Sequence, residues 1–451
     1  MRLHVPRSVL IGGLGIASLA PYVAAWRLGD LRQHTAGFEV VFFAAFALYA
    51  AATVLALREG KLSGPATAGA FTLTAAMMGM LLFTRPTLSD DVYRYVWEGR
   101  LQAQGISPYI YAPDAPELSA LRDADIWPHI NHKPAVTVYP PGAELAFALL
   151  WRALPGNVHW FQAAMALGAL LAGGLLARLL HDLGRPPARL LIYLWSPLLI
   201  FETAHSAHVD GLVLPLLVGA WWARTRERDT ATGVLLGLAT AVKFYPAILL
   251  PALWRPQHPQ ARWRMPVAFA LTLAAAYLPY VLTNGIAVLG YLPRYFEMRF
   301  NMGLASALIP LFQRAGVDPN LAILALTLAV LALLSAWMVW RPAPDGESAL
   351  RRCIWLIGAV TLLTQNLFPW YLLWLLPLAA IFLQPGRLLG LRPDTWTAWW
   401  LFAGLVGLSY TFFIAWKPVP WAQWAQFAPL YGLLLVDAVR RLRTTSTELA
   451  A

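Results

Sequence analysis

Cysteine is almost absent from this chain: Cys353 is the only one in 451 residues. An internal disulfide and any multi-cysteine metal site are therefore excluded. Charge is scarce too. Asp, Glu, Lys and Arg make up 13% of the residues, about half of what a water-soluble domain carries. Lysine is scarcer still, four against 30 arginines. No low-complexity linker and no soluble domain interrupt the apolar runs. What is abundant is apolar: 59% of residues are hydrophobic, with 21 Trp, 20 Phe and 16 Tyr, and the mean hydropathy is +0.56. That aromatic content excludes a disordered chain. The apolar runs are long and unbroken, unlike the alternating strands of about ten residues in an outer-membrane barrel. The expected fold class is an all-α polytopic membrane protein with about 12–14 transmembrane helices.

The net charge of +11 would point to nucleic acid in a soluble protein. Here the basic residues sit in short gaps between apolar runs, so the charge reads as membrane topology, with no nucleic-acid partner. Runs fall at 9–26, 38–57, 66–84, 158–180, 189–204, 209–223, 265–283, 320–340, 353–368, 370–384, 396–415 and 424–438, and a short pair at 232–242 and 246–254 breaks at Lys243 and Pro246. The first run reads as a retained helix rather than a signal peptide. With the N-terminus in the cytoplasm, alternation of sides puts 21 of the 34 Lys and Arg on cytoplasmic ends, from Arg2 and Arg7 to Arg440 and Arg443. Both termini are then cytoplasmic, and two long loops, 85–157 and 284–320, face outside. Residues 1–443 form one transmembrane domain and 444–451 a short disordered tail. The Arg, Ala and Leu richness suits a GC-rich bacterium, hence the bacterial inner membrane.

The first loop holds eight of the 23 acidic residues and opens with Ser89-Asp90-Asp91-Val92-Tyr93-Arg94-Tyr95. As a helix it places Asp91, Tyr95, Glu98 and Gln102 on one face. Capping by Ser89 or Asp90 and an Arg94–Glu98 pair are the structural roles open to these residues. Two adjacent carboxylates directly after a membrane span also meet desolvation and mutual repulsion. Both raise a carboxylate pKa, which makes Asp90 and Asp91 candidate general bases. Further on, Trp127-Pro128-His129-Ile130-Asn131-His132-Lys133-Pro134 and Val138-Tyr139-Pro140-Pro141-Gly142 form an ordered, aromatic-rich loop. His129 and His132 have no third metal ligand at a suitable spacing, so no metal is expected on them, and dependence on a divalent metal stays open. The segment 143–154 is too short to span and reads as an interfacial helix carrying Glu144.

The tight outer turn Glu202-Thr203-Ala204-His205-Ser206-Ala207-His208-Val209-Asp210-Gly211 collects His205, His208 and Asp210. It reads either as a polar loop tip with Asp210 as cap, or as a wall of an outward-facing site. Lys243, in Lys243-Phe244-Tyr245-Pro246, sits within apolar sequence. There an ammonium is costly and marks a functional site by default, facing an anion or a water-filled cavity, the structural alternative being a salt bridge to a loop carboxylate. The second loop contributes Tyr291, Arg294, Tyr295, Glu297, Arg299 and Asn301. Such a cluster suits phosphate, sugar or lipid headgroups.

Taken in order, the Asp-Asp-Val-Tyr-Arg-Tyr, Tyr-Pro-Pro-Gly, His-Val-Asp-Gly and Lys-Phe-Tyr-Pro segments resemble the GT-C superfamily of integral-membrane glycosyltransferases. Within it the chain is most similar to bacterial polyprenyl-phosphomannose-dependent mannosyltransferases, over about residues 66–255. It departs from the simplest pattern by carrying two spans before the one that leads into the acidic loop. The resemblance implies an extracytoplasmic site built from the first loop, with Asp91 or its neighbour Asp90 as base. It implies a polyprenyl-phosphate sugar as donor, a glycan or glycolipid of the envelope as acceptor, and direct displacement with inversion. Lys243, Arg94, His205, His208, Asp210, Arg294 and Arg299 would then serve the donor phosphate and sugar. Tyr95, Glu98, His129, His132 and Tyr139 would shape the loop or meet the acceptor. A leaving phosphate needs positive charge rather than a general acid, so one aspartate with Lys243 suffices. The rivals fit less well. A transporter or flippase places ionisable groups at the midplane in related repeats, an envelope polymerase or ligase relies on loop arginines and histidine, and a scaffold has no use for Lys243.

Overall fold

The computed structural model describes residues 6–259, 262–295 and 297–450. Helix dominates these residues, and the strand Pro385–Leu388 is a short exception. The chain is an all-α polytopic membrane protein. Among the described residues, seven helical segments are long and apolar enough to cross a bilayer: Arg7–Leu28, Thr35–Glu59, Gly64–Leu82, Val158–Asp182, Arg264–Leu289, Pro319–Trp340 and Thr395–Ala415. Two of them wear their apolar side chains on the outside. Leu271, Leu278 and Leu282 are 55–77% exposed, and Leu321, Leu328 and Leu333 are 57–72% exposed. A water-soluble protein rarely tolerates contiguous apolar surface of that kind; lipid does. Arg2, counted above among the cytoplasmic charges, lies outside the described residues.

The other apolar runs form shorter or interrupted helices, for reasons visible in their prolines. The run at 189–204 divides into Pro187–Leu190, Leu191–Leu194 and Pro197–Ile200, then a π turn over Phe201–His205. Pro197 has no N–H to continue the ladder. The run at 370–384 starts as a 3-10 turn, Pro369–Trp374, before the helix Leu375–Phe382. The short pair breaks where expected: the helix Asp229–Val242 ends, Lys243 is extended (φ −152°, ψ 131°), and a 3-10 turn runs from Tyr245 to Leu249. The segment expected to be a short interfacial helix forms the helix Pro141–Ala153.

The chain divides into two compact units. The first comprises Met1–Thr84, Leu176–Phe201 and Phe368–Ala451. Its core is aromatic: Phe38 meets Phe201 and Tyr410 edge-on, with centroids 5.2 and 5.3 Å away. Tyr49 ties three segments together. Its hydroxyl donates to the Ile192 carbonyl at 2.6 Å and accepts from the Trp400 indole N–H at 2.7 Å. Arg189, 6% exposed, donates to the carbonyls of Ala380 and Ile381, filling acceptors that a helix end leaves open.

The second unit comprises Arg85–Leu175 and Glu202–Leu367, and it holds the whole first loop. Two of its glycines are places of close approach. A Cβ on Gly142 would lie 2.6 Å from the Ala241 carbonyl oxygen, so only glycine lets the Pro141–Ala153 helix start against the end of Asp229–Val242, next to Lys243. A Cβ on Gly211 would clash with the Met165 backbone of the neighbouring helix.

Tyr49→Phe keeps the ring and orphans the buried Ile192 carbonyl and Trp400 indole, a cost of about 1–3 kcal/mol. A lowered melting temperature in detergent is the expected result; a wild-type melting curve would remove this hydrogen-bonded junction from the account of the first unit.

Candidate active site

The site grows from the helix Asp91–Ala103 in the second unit. Asp90 occupies the N-cap position without capping through its side chain, and the Ser89 hydroxyl accepts from the Asp91 N–H instead. Arg94 and Glu98 pair at i, i+4, with Nε 2.6 Å from Oε1, both nearly buried. The rest of the Arg94 guanidinium donates to the carbonyls of Asn131 (3.4 Å), His132 (3.1 Å) and Ala135 (2.6 Å). The arginine thereby fastens the 131–135 stretch to the helix. His132 takes φ +44°, a conformation that its carbonyl's bond to Arg94 helps to hold. This clamp brings Asn131 to Asp91, whose Oδ1 accepts from Asn131 Nδ2 at 2.7 Å.

Behind Asp91 stands the 202–210 turn. A π turn followed by Ala207 at φ +55° re-aims the chain. Backbone strain of this kind is held only where its surroundings over-determine it. The result is that His208 points back at Asp91 while its own N–H bonds the Glu202 carbonyl at 2.9 Å. His208 Nε2 lies 3.9 Å from Asp91 Oδ2, and His208 Nδ1 lies 2.9 Å from Glu202 Oε2. Glu202 is wholly buried and His208 is 1% exposed, whereas the Asp91 side chain keeps 20% of its surface. Asp91 is the carboxylate of this row that a substrate can reach. The Gln162 amide donates to the carbonyls of Ala204 and His205, fixing the turn from the neighbouring helix.

His205 does something different. Its Nε2 accepts from the Thr87 N–H at 3.2 Å, and burial, with His208 adding to it, pushes its pKa down to about 3. It is a neutral acceptor at working pH. Lys243 Nζ lies 2.6 Å from Asp210 Oδ2, with Asp210 wholly buried and Lys243 13% exposed. Tyr95 stands between the two charged groups: its hydroxyl accepts from the Val209 N–H at 3.4 Å and lies 3.5 Å from the Tyr139 hydroxyl, and its ring stacks on Phe147. Burial, with the charge of Asp91, holds both tyrosines well above the usual phenol range, so both stay protonated.

Glu144 and Glu98 form a second carboxyl pair deeper in the loop. Glu144 Oε1 accepts from Thr137 Oγ1 at 2.7 Å and Oε2 from Gln102 Nε2 at 2.8 Å. Burial, reinforced by the Glu98 carboxylate, pushes the Glu144 carboxyl well above its ordinary value. Tyr280 reaches the same network by donating to Gln102 Oε1. The second loop docks at Thr137, whose carbonyl accepts from the Tyr291 N–H at 2.8 Å.

The structure thus brings together Asp91, His208, Tyr95 and Tyr139, with Asp210 and Lys243 alongside. It sets other predicted residues apart. Arg294 is exposed, and Arg299 bonds Asn320 on an exposed surface. His129 stacks on Tyr93 with centroids 4.8 Å apart. Arg94 and Glu98 are engaged with each other and with the loop. The reading of single residues passed over Asn131 and Glu202, although both stand inside quoted motifs. Nothing local pairs Asn131 with Asp91, 40 positions away. Glu202 faces His208 only because of the π turn. Among the described residues no group of three or more His, Cys, Asp or Glu stands so as to hold a metal ion.

Residues 7–255 match the family described as alpha-(1->6)-mannopyranosyltransferase, N-terminal domain. The alpha-(1->6)-mannopyranosyltransferase A of Mycobacterium tuberculosis is 24% identical over 390 residues, 81% of this chain and 72% of that protein. Its namesake in Corynebacterium glutamicum is 24% identical over 41% of this chain and 38% of its own length. GPI mannosyltransferase 1 of Aspergillus fumigatus is 34% identical over 24% of this chain and 27% of that protein. No solved structure matches the chain.

The Glu144 carboxyl binds its proton more tightly folded than unfolded. Its contribution to stability is therefore complete below the ordinary value of 4.5 and is lost as pH rises from there toward the raised folded value. Glu144→Gln cannot ionise, so its melting temperature is expected to fall less than that of the wild type between acid and mildly alkaline pH. Parallel curves would show that no proton is held at this pair.

Proposed function

The chain belongs to the alpha-(1->6)-mannopyranosyltransferase family of GT-C-type membrane enzymes, and on that premise we propose that it moves mannose from a polyprenyl phosphate to an envelope glycan or glycolipid, with Asp91 as general base. The observation that carries this reading is the state of Asp91. It is the partly exposed carboxylate in a buried polar row, oriented by Asn131 and backed by His208. An acceptor hydroxyl attacks the anomeric carbon. Asp91 takes its proton as the new bond forms. The bond from the anomeric carbon to the phosphate oxygen breaks, and the polyprenyl phosphate leaves with the electron pair.

That leaving group is already anionic and wants positive charge close by. Lys243, anchored by Asp210, supplies it. The anchoring costs little mobility, because Asp210 opens the helix Asp210–Thr225 and Lys243 closes Asp229–Val242. A single displacement inverts the anomeric centre, so an alpha product requires a beta-linked donor. The Tyr95 and Tyr139 hydroxyls, kept neutral by burial, are donors for sugar oxygens. Arg94 acts through the loop it fastens rather than on phosphate. Both long loops lie on the extracytoplasmic side in this reading, which places the reaction there, and no metal is called for.

The test uses purified protein in nanodiscs with radiolabelled polyprenyl-phosphate-mannose and a membrane glycolipid extract. Asp91→Asn is expected to lower transfer by about 10²–10⁴-fold with an unchanged elution profile. Near-wild-type turnover in Asp91→Asn, and in Asp90→Asn beside it, would overturn the base assignment. Lys243→Ala is expected to lower donor-dependent turnover most at limiting polyprenyl-phosphate-mannose. Unchanged KM and kcat would take Lys243 out of the site.

A further inference from the structure

The row behind Asp91 has more in it than a base needs. An aspartate that only had to accept a proton and return it to solvent would not require a buried imidazole with a wholly buried carboxylate on its far side. We infer that His208 and Glu202 form a proton store: His208 takes over the proton that Asp91 receives and holds it during turnover, and Glu202 stabilises the imidazolium that results. The inference rests on the reading of Asp91 as base.

The geometry is directional. Asp91 Oδ1 is occupied by Asn131 at 2.7 Å, and Oδ2 is the oxygen turned to His208 Nε2, 3.9 Å away. A shift of about 1 Å brings that pair to hydrogen-bonding distance. On the far side, His208 Nδ1 is already 2.9 Å from Glu202 Oε2. With the hydrogen on Nδ1, on the side of that carboxylate, the neutral ring turns its Nε2 lone pair to Asp91. An ordinary imidazole is the stronger base of the two group types, by about 2–3 pH units.

The steps balance. The acceptor O–H bond breaks as its oxygen bonds the anomeric carbon. Its proton passes to Asp91 Oδ2 and then to His208 Nε2, leaving Asp91 ionised again. After product release the imidazolium hands the proton back to Asp91, the solvent-accessible member of the row, and from there it passes to water. Burial explains the arrangement. An imidazolium with almost no solvent around it is costly, and a carboxylate 2.9 Å away offsets that cost. The neighbours of His208 are consistent with a single mobile proton. His205 is held neutral by burial and its Thr87 bond, Tyr95 stays protonated, and Asp210 is neutralised by Lys243. Asp91 and Glu202 are the charged groups that bear on it directly.

His208 and Glu202 act through Asp91 and are positioning residues, so the readout is a pH profile of kcat/KM with polyprenyl-phosphate-mannose. The acid limb is expected to report His208, which must be neutral to receive the proton. Glu202→Gln removes the charge that favours the imidazolium, so its limb is expected to move to lower pH by about one unit or more, with turnover at the optimum reduced roughly tenfold or more. His208→Gln is expected to lower turnover comparably and to abolish the histidine limb. A Glu202→Gln limb that stays in place while turnover falls would reduce the pair to a structural prop and overturn the inference. Wild-type protein gives a check that does not depend on variant folding. Imidazole ionises with a substantial enthalpy and a carboxylate with almost none, so the acid limb should move with temperature; a temperature-invariant limb would also overturn the inference. An active Asp91→Asn would instead sink the reading of the base itself.

Discussion

One buried guanidinium holds the first loop against the helix that opens the candidate site. Arg94 is 5% exposed, and removing such a charge from water is tolerable only if it is paired and fully hydrogen-bonded. Glu98 supplies the charge, and the carbonyls of Asn131, His132 and Ala135 supply the remaining acceptors. The cost of leaving any of these unmade is what holds the loop. The stretch from Asn131 to Ala135, with no helix or strand to anchor it, is fixed to the helix that carries Asp91. The Asn131–Asp91 bond follows from that clamp.

The 202–210 turn is its counterpart. The sequence there mixes two histidines and two carboxylates within nine positions, and the backbone sorts them by irregular geometry. The π turn and the positive φ of Ala207 separate the two histidines that a regular helix would have placed nearly on one face. One becomes a neutral acceptor for a backbone N–H, and the other stands between two carboxylates. Strain, burial and charge converge at this point, which is what a functional site looks like when its elements are held by the fold rather than by propensity.

The glycines of the Tyr-Pro-Pro-Gly and His-Val-Asp-Gly segments have a steric role in the same picture. Gly142 and Gly211 let helices approach until a Cβ would strike a carbonyl. Those approaches set the entry of Pro141–Ala153 beside Lys243 and the start of Asp210–Thr225 beside His208. Motif residues that carry no chemistry thus determine the positions of residues proposed to carry it.

Much of this was legible in the sequence. Long apolar runs fix helices in lipid because an unpaired backbone polar group there costs several kcal/mol. The break at Lys243 and Pro246, the helix from Asp91, the Arg94–Glu98 pair and the short helix Pro141–Ala153 follow from proline chemistry and periodicity of 3.6. The acidic loop and the buried lysine marked the region of the site. Other features belonged to the tertiary structure alone. Periodicity says nothing of a contact between Asp91 and Asn131 across 40 residues, nor of one between Glu202 and His208 that depends on a π turn. Arg294 and Arg299 had the right charge for phosphate and lie on exposed surface instead, while Arg94 spends its donors on backbone carbonyls. Residue type declares what a side chain can bind; only the burial and partners that the folded chain provides decide what it does bind.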